Sequence, residues 1–195
     1  MIVAGLTGSI AMGKTETAKL FAQRGIPVFD SDAAVHQLYT KGGKAVAIIA
    51  AIAPDAVIVE TVDRARLSKA ISRHPEILRS VEKAVHPLVR DMQDEFLTEA
   101  RRASRPLVIL DIPLLFETAR DLDVDKIIVV STSAEIQRER ALRRPGMTDE
   151  KLDFILSRQM PDAEKRRRAD YIIDTSVSIT DTQQQVDDIL ADLIT

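Results

Sequence analysis

Near the start of the chain, Gly8-Ser9-Ile10-Ala11-Met12-Gly13-Lys14-Thr15 fits the pattern G-x-x-x-x-G-K-[ST]. Such a run suits the binding of a polyphosphate. Successive backbone N–H groups and the N-terminus of the helix that follows cradle anionic oxygens, while glycine admits backbone conformations and close approaches that a Cβ would block. In this arrangement Lys14 bridges the β- and γ-phosphates of a nucleoside triphosphate, and the Thr15 hydroxyl helps to hold Mg²⁺. Gly8, Ala11, Met12, Gly13 and Glu16 complete the stretch assigned to the nucleotide. The alternative, a glycine-containing turn followed by an accidental Lys-Thr pair, does not explain why an apolar run precedes the pattern and a helical run follows it.

Carboxylates come next. Asp30-Ser31-Asp32 follows a short apolar run, and either aspartate could orient an acceptor hydroxyl and take its proton during phosphoryl transfer. The competing reading makes one of them a helix N-cap, a common place for Ser and Asp. Asp111 ends the apolar run Leu107-Val108-Ile109-Leu110. This is the Walker B placement for a carboxylate that supports Mg²⁺, although a lone Asp at a strand end is often only a turn residue. Pro113-Leu114-Leu115-Phe116-Glu117 then forms the lip of the pocket.

These groups need a scaffold. Apolar runs rich in Val and Ile at 2–6, 27–29, 107–110, 127–130 and 171–173 predict five buried parallel strands. Helical patterns at 14–23 and 181–193 alternate with them, the signature of an α/β sheet flanked by helices. A single domain is expected, with a core formed by 1–32, 104–133 and 170–195. The interval 33–103 shows helix-like segments, no convincing strand, and Gly42-Gly43, Pro54, Pro75 and Pro87 as breakers, so it is read as a helical insertion. The interval 134–169 is dense in Arg, Lys, Asp and Glu and is read as a movable helical lid.

Bulk properties narrow the function classes. A formal net charge of -3 lacks the basic excess of a nucleic-acid binder. The chain has no cysteine, which excludes disulfides, thiol nucleophiles and cysteine metal sites. Its opening residues lack a basic leader, and the most apolar later stretch, 45–53, is far shorter than the roughly 20 residues of a membrane span. A cytoplasmic enzyme of small molecules, monomeric or weakly homo-oligomeric, is therefore expected.

In order along the chain, several motifs resemble the dephospho-CoA kinase family. They are Gly5-Leu6-Thr7-Gly8-Ser9-Ile10, Asp30-Ser31-Asp32, Asp63-Arg64-Ala65-Arg66-Leu67, His86-Pro87, Asp111-Ile112-Pro113-Leu114-Leu115-Phe116-Glu117, Gln159, and Ala169-Asp170-Tyr171-Ile172-Ile173-Asp174. The resemblance implies the P-loop NTPase fold, ATP and Mg²⁺ as cofactors, and transfer of the γ-phosphoryl group to the ribose 3′-hydroxyl of dephospho-CoA. It further implies Asp32 as base and acceptor contacts from Asp32, Arg64, His86, Asp111 and Leu115, with Lys14 and the lid residue Arg140 acting on the phosphates. The sequence departs from the commoner family loop at Ala11, where glycine is usual, so the backbone there must tolerate a Cβ; Thr15 for serine is chemically equivalent.

Other residues read less specifically. His86 precedes a proline and is expected in extended backbone or at a helix boundary. Lys165-Arg166-Arg167-Arg168, beside Asp162 and Glu164, is read as a solvated helix face. Arg138, Arg140, Arg143 and Arg144 are all candidates for contacting ATP. The nearest rival function is another P-loop kinase with a nucleoside or nucleotide acceptor. A GTPase is excluded, because the chain contains no asparagine for a guanine-reading motif and no Asp three residues before a glycine. A purely structural interaction protein leaves Lys14, Thr15, Asp32 and Asp111 without a shared purpose.

Overall fold

The computed structural model describes residues 1–194; Thr195, the last residue of the expected core, lies outside them. The described chain forms two compact units, Met1–Phe29 with Ala100–Thr195, and Asp30–Glu99.

The first unit is built on a five-stranded parallel sheet. Its strands are β1 (Ile2–Thr7), β2 (Val28–Asp30, whose last residue opens the second unit), β5 (Leu107–Asp111), β6 (Lys126–Ser131) and β7 (Tyr171–Asp174), in the order β2-β5-β1-β6-β7. All five expected strands are present. The central strand β1 pairs with β5 in the register Leu6↔Asp111 and with β6 in the register Leu6↔Ile128. Side chains alternate across a strand. Ala4 and Leu6 therefore join Ile109, Ile128, Val130 and Ile173 in a buried core with helices α1 (Lys14–Gln23) and α9 (Ile179–Ile194). From those helices come Leu20 and Phe21, and Val186, Ile189 and Leu193. Both helices were legible as apolar stripes at a period of 3.6.

The charged stretch 134–169 forms three short helices, α6 (Ala134–Leu142), α7 (Asp149–Ser157) and α8 (Asp162–Arg168). Their starts are chemically marked. The Ser133 hydroxyl accepts from the Ile136 N–H at 3.3 Å, and the Thr148 hydroxyl accepts from the Lys151 N–H at 3.3 Å.

The second unit holds α2 (Ser31–Tyr39), α3 (Val46–Ile52), α4 (Arg64–Arg73) and most of α5 (Glu76–Arg102). It also holds a small antiparallel hairpin, β3 (Val57–Ile58) and β4 (Thr61–Val62), in a stretch where the sequence showed no convincing strand. Its two-residue turn places Val59 at φ 47° and Glu60 at φ 58°.

His86 is not at a boundary. Both it and Pro87 lie inside α5, a 27-residue helix. An interior proline costs a helix about 3 kcal/mol. Here Val81, Val85, Val89, Gln93 and Leu97, every fourth residue, form a buried stripe whose packing offsets that loss.

Candidate active site

β1 delivers the chain into the phosphate loop, and α1 begins at Lys14. Two of its residues need to be glycine. A Cβ on Gly8 would stand 2.7 Å from the Val130 carbonyl oxygen, and Gly13 caps α1 at φ 94°. Ala11 adopts the left-handed conformation at φ 62°. A left-handed conformation costs an L-residue about 1–2 kcal/mol, and burial of Ala11 in a cluster with Ala141 and Leu152 offsets part of that.

Four neighbouring segments hold the loop. The Ile10 N–H donates to Gln159 Oε1 at 3.0 Å, and Gln137 Nε2 donates to the Ile10 carbonyl at 2.9 Å. The Thr175 hydroxyl donates to the Met12 carbonyl at 2.7 Å, and the Thr132 N–H points to Met12 Sδ at 3.2 Å. Within the loop the Met12 N–H donates to the Ser9 carbonyl at 3.2 Å. The Ala11 and Gly13 N–H groups have no partner among the described residues, as anion-binding amides should.

Lys14 Nζ forms an ion pair with Asp111 Oδ1, so the structure brings together two of the residues expected at the site. Asp111 is only 3% exposed, and the register of β5 on β1 places it beside Leu6, just before the loop. The lip that follows is tied back to β1. The Ile112 N–H donates to the Leu6 carbonyl at 3.0 Å, and the Thr7 hydroxyl to the Pro113 carbonyl at 3.2 Å. Leu115 is fully buried, its methyls lie 3.3 Å from the position of a Cβ on Gly5, and its carbonyl accepts from the Arg120 N–H at 2.8 Å, so it packs the core. Thr15 is exposed in the first turn of α1, while Glu16 pairs with Lys19 at 2.7 Å. The Thr15 hydroxyl and the Asp111 carboxylate are hard oxygen donors of the kind magnesium takes. Among the described residues no three His, Cys, Asp or Glu side chains cluster as a metal site.

Further along the lip is a charge that sequence reasoning assigned to solvent. Lys165 is fully buried, its ammonium 2.8 Å from Glu117 Oε1. The same carboxylate oxygen accepts the Met160 N–H at 2.8 Å. Burial pushes the Glu117 carboxyl up, but the Lys165 ammonium and the backbone N–H groups outweigh it and hold it below its ordinary value. Only part of the basic run faces water: Arg167 and Arg168 pair with Glu164 at 2.7 and 2.9 Å, lowering that carboxyl to about 2.

The arginines of 134–169 sort by partner. Arg138 pairs with Asp149 and Asp153, and Arg143 with Glu139. Arg140 donates to the Thr175 hydroxyl at 3.0 Å and to the Thr175 carbonyl at 2.7 Å. Because Thr175 also holds Met12, Arg140 is one residue removed from the phosphate loop.

Within the second unit the aspartates divide. The Asp30 carboxylate caps α2 by accepting from the Ala33 N–H at 2.9 Å, whereas Asp32 is exposed and its carboxylate makes no bond among the described residues. Asp63 caps α4, accepting from the Ala65 and Arg66 N–H groups at 2.9 and 3.0 Å. Arg64 follows it, exposed, with its charge close enough to Tyr39 to be felt. Burial pushes the Tyr39 phenol up, and the Arg64 guanidinium offsets part of that shift. His86 is exposed on α5. Sequence reasoning missed Gln137 and Thr175 as anchors of the loop, and quoted Gln159 without a role. Single polar residues carry no spacing signature, and only their partners reveal them.

A parallel sheet with order β2-β5-β1-β6-β7 and a lysine-bearing loop between β1 and α1 define a P-loop kinase. Solved structures agree at the level of fold. TT1252 from Thermus thermophilus superposes with a TM-score of 0.83 at 32% identity, covering 100% of this chain and 98% of that one. Dephospho-CoA kinase from Campylobacter jejuni superposes at 0.70 with 21% identity, covering 98% and 97%, and shikimate kinase from Bacteroides thetaiotaomicron at 0.54 with 16%, covering 98% and 98%. The sequence profile of the dephospho-CoA kinase family matches residues 1–181. Dephospho-CoA kinase of Agrobacterium fabrum is 53% identical over 193 residues, 99% of this chain and 98% of that protein; that of Rhodopseudomonas palustris is 50% identical over 190 residues, 97% and 94%. The chain belongs to the dephospho-CoA kinase family.

Proposed function

We propose that this chain transfers the γ-phosphoryl group of ATP to the 3′-hydroxyl of dephospho-CoA with the roles divided as follows. The observation that carries the reading is the Lys14–Asp111 ion pair beside a loop with unpartnered backbone amides. The amides and Lys14 bind the triphosphate, and on binding Lys14 exchanges part of its attraction to Asp111 for the phosphates. Thr15 and Asp111 hold magnesium, which when bound supplies charge neutralisation at the phosphate oxygens. Arg140, after release from Thr175, adds positive charge where it develops in the transition state. Asp32, whose carboxylate has no competing partner among the described residues, orients the acceptor hydroxyl and takes its proton. Arg64, His86 and Leu115 are assigned to the acceptor. The unit formed by Asp30–Glu99 serves the acceptor, and 134–169 serves as the lid.

The enzyme is inferred to act in the cytoplasm on small molecules, without nucleic acid, as a monomer or weak homo-oligomer. No helix among the described residues is long and apolar enough to cross a membrane. Incubation of the purified protein with Mg-ATP and dephospho-CoA, followed by mass analysis, should yield coenzyme A and ADP. Preferred phosphorylation of a nucleoside monophosphate in a panel of acceptors would overturn the assignment.

A further inference from the structure

Ile10 is held at both of its backbone polar groups by two glutamines, and the two bonds have opposite polarity. The N–H donor on Ile10 requires the acceptor end of Gln159, and the Ile10 carbonyl requires the donor end of Gln137, so the backbone fixes which way each side-chain amide is turned. Gln137 sits on α6 and is 6% exposed; Gln159 is half-buried just beyond α7. In a planar trans peptide the C=O and N–H of one unit point in opposite directions. Gripping the Ile10 carbonyl therefore turns the Ala11 N–H the other way. Holding the Ile10 N–H likewise turns the Ser9 carbonyl inward, where the Met12 N–H donates to it at 3.2 Å. The amide aimed by Gln137 has no partner among the described residues, and it belongs to a residue at φ 62°, a conformation an alanine does not hold unaided.

We propose that Gln137 and Gln159 are positioning residues that aim the Ala11 N–H at the nucleotide phosphates, Gln137 strictly as a donor and Gln159 strictly as an acceptor. The proposal rests on the reading of 8–15 as the ATP loop. It ties loop geometry to the helices of the lid: any lid movement that carries α6 away releases the Ile10 carbonyl and lets the Ala11 peptide rotate. Nucleotide affinity and lid position are then coupled through a single peptide unit.

Glutamate tests the polarity, since it matches glutamine in shape but only accepts when ionised. In Gln159→Glu the acceptor is kept; in Gln137→Glu the donor is lost and a carboxylate faces a carbonyl. The added charge lies at nearly the same distance from Ile10 in both, so the difference between the variants isolates the hydrogen-bond role. KM for ATP, KM for dephospho-CoA, kcat and the Tm of the ligand-free protein would be measured for each. The expected result is a kcat/KM for ATP at least about tenfold lower in Gln137→Glu than in Gln159→Glu, with KM for dephospho-CoA unmoved in both. A residue that served stability alone would change Tm and leave the ATP KM of the folded protein unaltered. Equal kcat/KM values in the two glutamate variants would overturn the proposal. If Gln137→Glu does not fold, Gln137→Met decides: a raised ATP KM supports the donor role and an unchanged one refutes it. Lys14→Ala separates the underlying assumption. Retained ATP affinity in that variant would sink the loop reading itself, whereas lost affinity there with normal affinity in Gln137→Met would sink only the proposal.

Discussion

Lys14 is bound to a partner it has to share. Asp111 is almost completely buried, so removing the lysine takes an ion-pair partner from a buried carboxylate as well as leaving an empty place beside the phosphates. Lys14→Ala should therefore lower kcat/KM by on the order of 10²-fold or more and lower Tm as well. Thermal unfolding beside steady-state kinetics checks both effects, and an unchanged Tm with near-normal kcat/KM would contradict the assignment. Asp32 gives a cleaner test, because its carboxylate has no bond to lose among the described residues. Asp32→Asn should depress kcat far more than ATP affinity while Tm stays unchanged. A large loss of ATP binding with intact kcat would make it a ligand-positioning residue instead. By residue type and spacing the two aspartates of Asp30-Ser31-Asp32 were equivalent, and only the family resemblance singled out Asp32. They separate because one hydrogen bond to the Ala33 N–H commits Asp30 to the helix start.

Elements were more legible than their attachments. The five strands announced themselves because parallel strands covered on both faces are runs of Val, Ile and Leu, and α1 was delimited by Gly13 before it and Gly25 shortly after it. The hairpin β3–β4 escaped because each of its strands has only two residues, too few to display alternation. Pro87 misled for a different reason: local preference argued for a break, and a buried stripe spaced by four residues overrode it. Motif residues were similarly of two kinds. Asp63 belongs to the family-like run 63–67, yet its carboxylate is spent on two N–H groups of α4. Asp63→Ala should destabilise the protein by about 1 kcal/mol in urea unfolding, with kcat changed less than twofold once folded. A drop in kcat of several orders of magnitude in the folded variant would show that the carboxylate acts on substrate.

For the molecule as a whole, the pair formed by Glu117 and the buried Lys165 contributes to how folding responds to acid. The folded-state pKa of Glu117 lies below its unfolded value, so this pair's contribution is complete above the ordinary carboxylate range and is lost as pH falls through the folded-state value. Glu117→Gln should begin less stable near neutrality, because Lys165 loses its partner, and its stability should fall less steeply than that of the parent as pH drops below the ordinary carboxylate range. Parallel slopes in chemical denaturation over that fall in pH would refute this assignment. No sequence pattern distinguishes Lys165 from Arg166, Arg167 and Arg168; burial alone does, and it depends on where Glu117 arrives from another part of the chain. A different reserve lies in Asp30–Glu99, at the turn where Val59 and Glu60 both take positive φ. Turns of this hand favour Asn-Gly, and a β-branched valine is among the residues least suited to them. Valine there keeps the ligand-free protein below its attainable thermal limit, so replacing the two residues by Asn and Gly offers a route to a hardier catalyst that leaves every proposed substrate contact untouched.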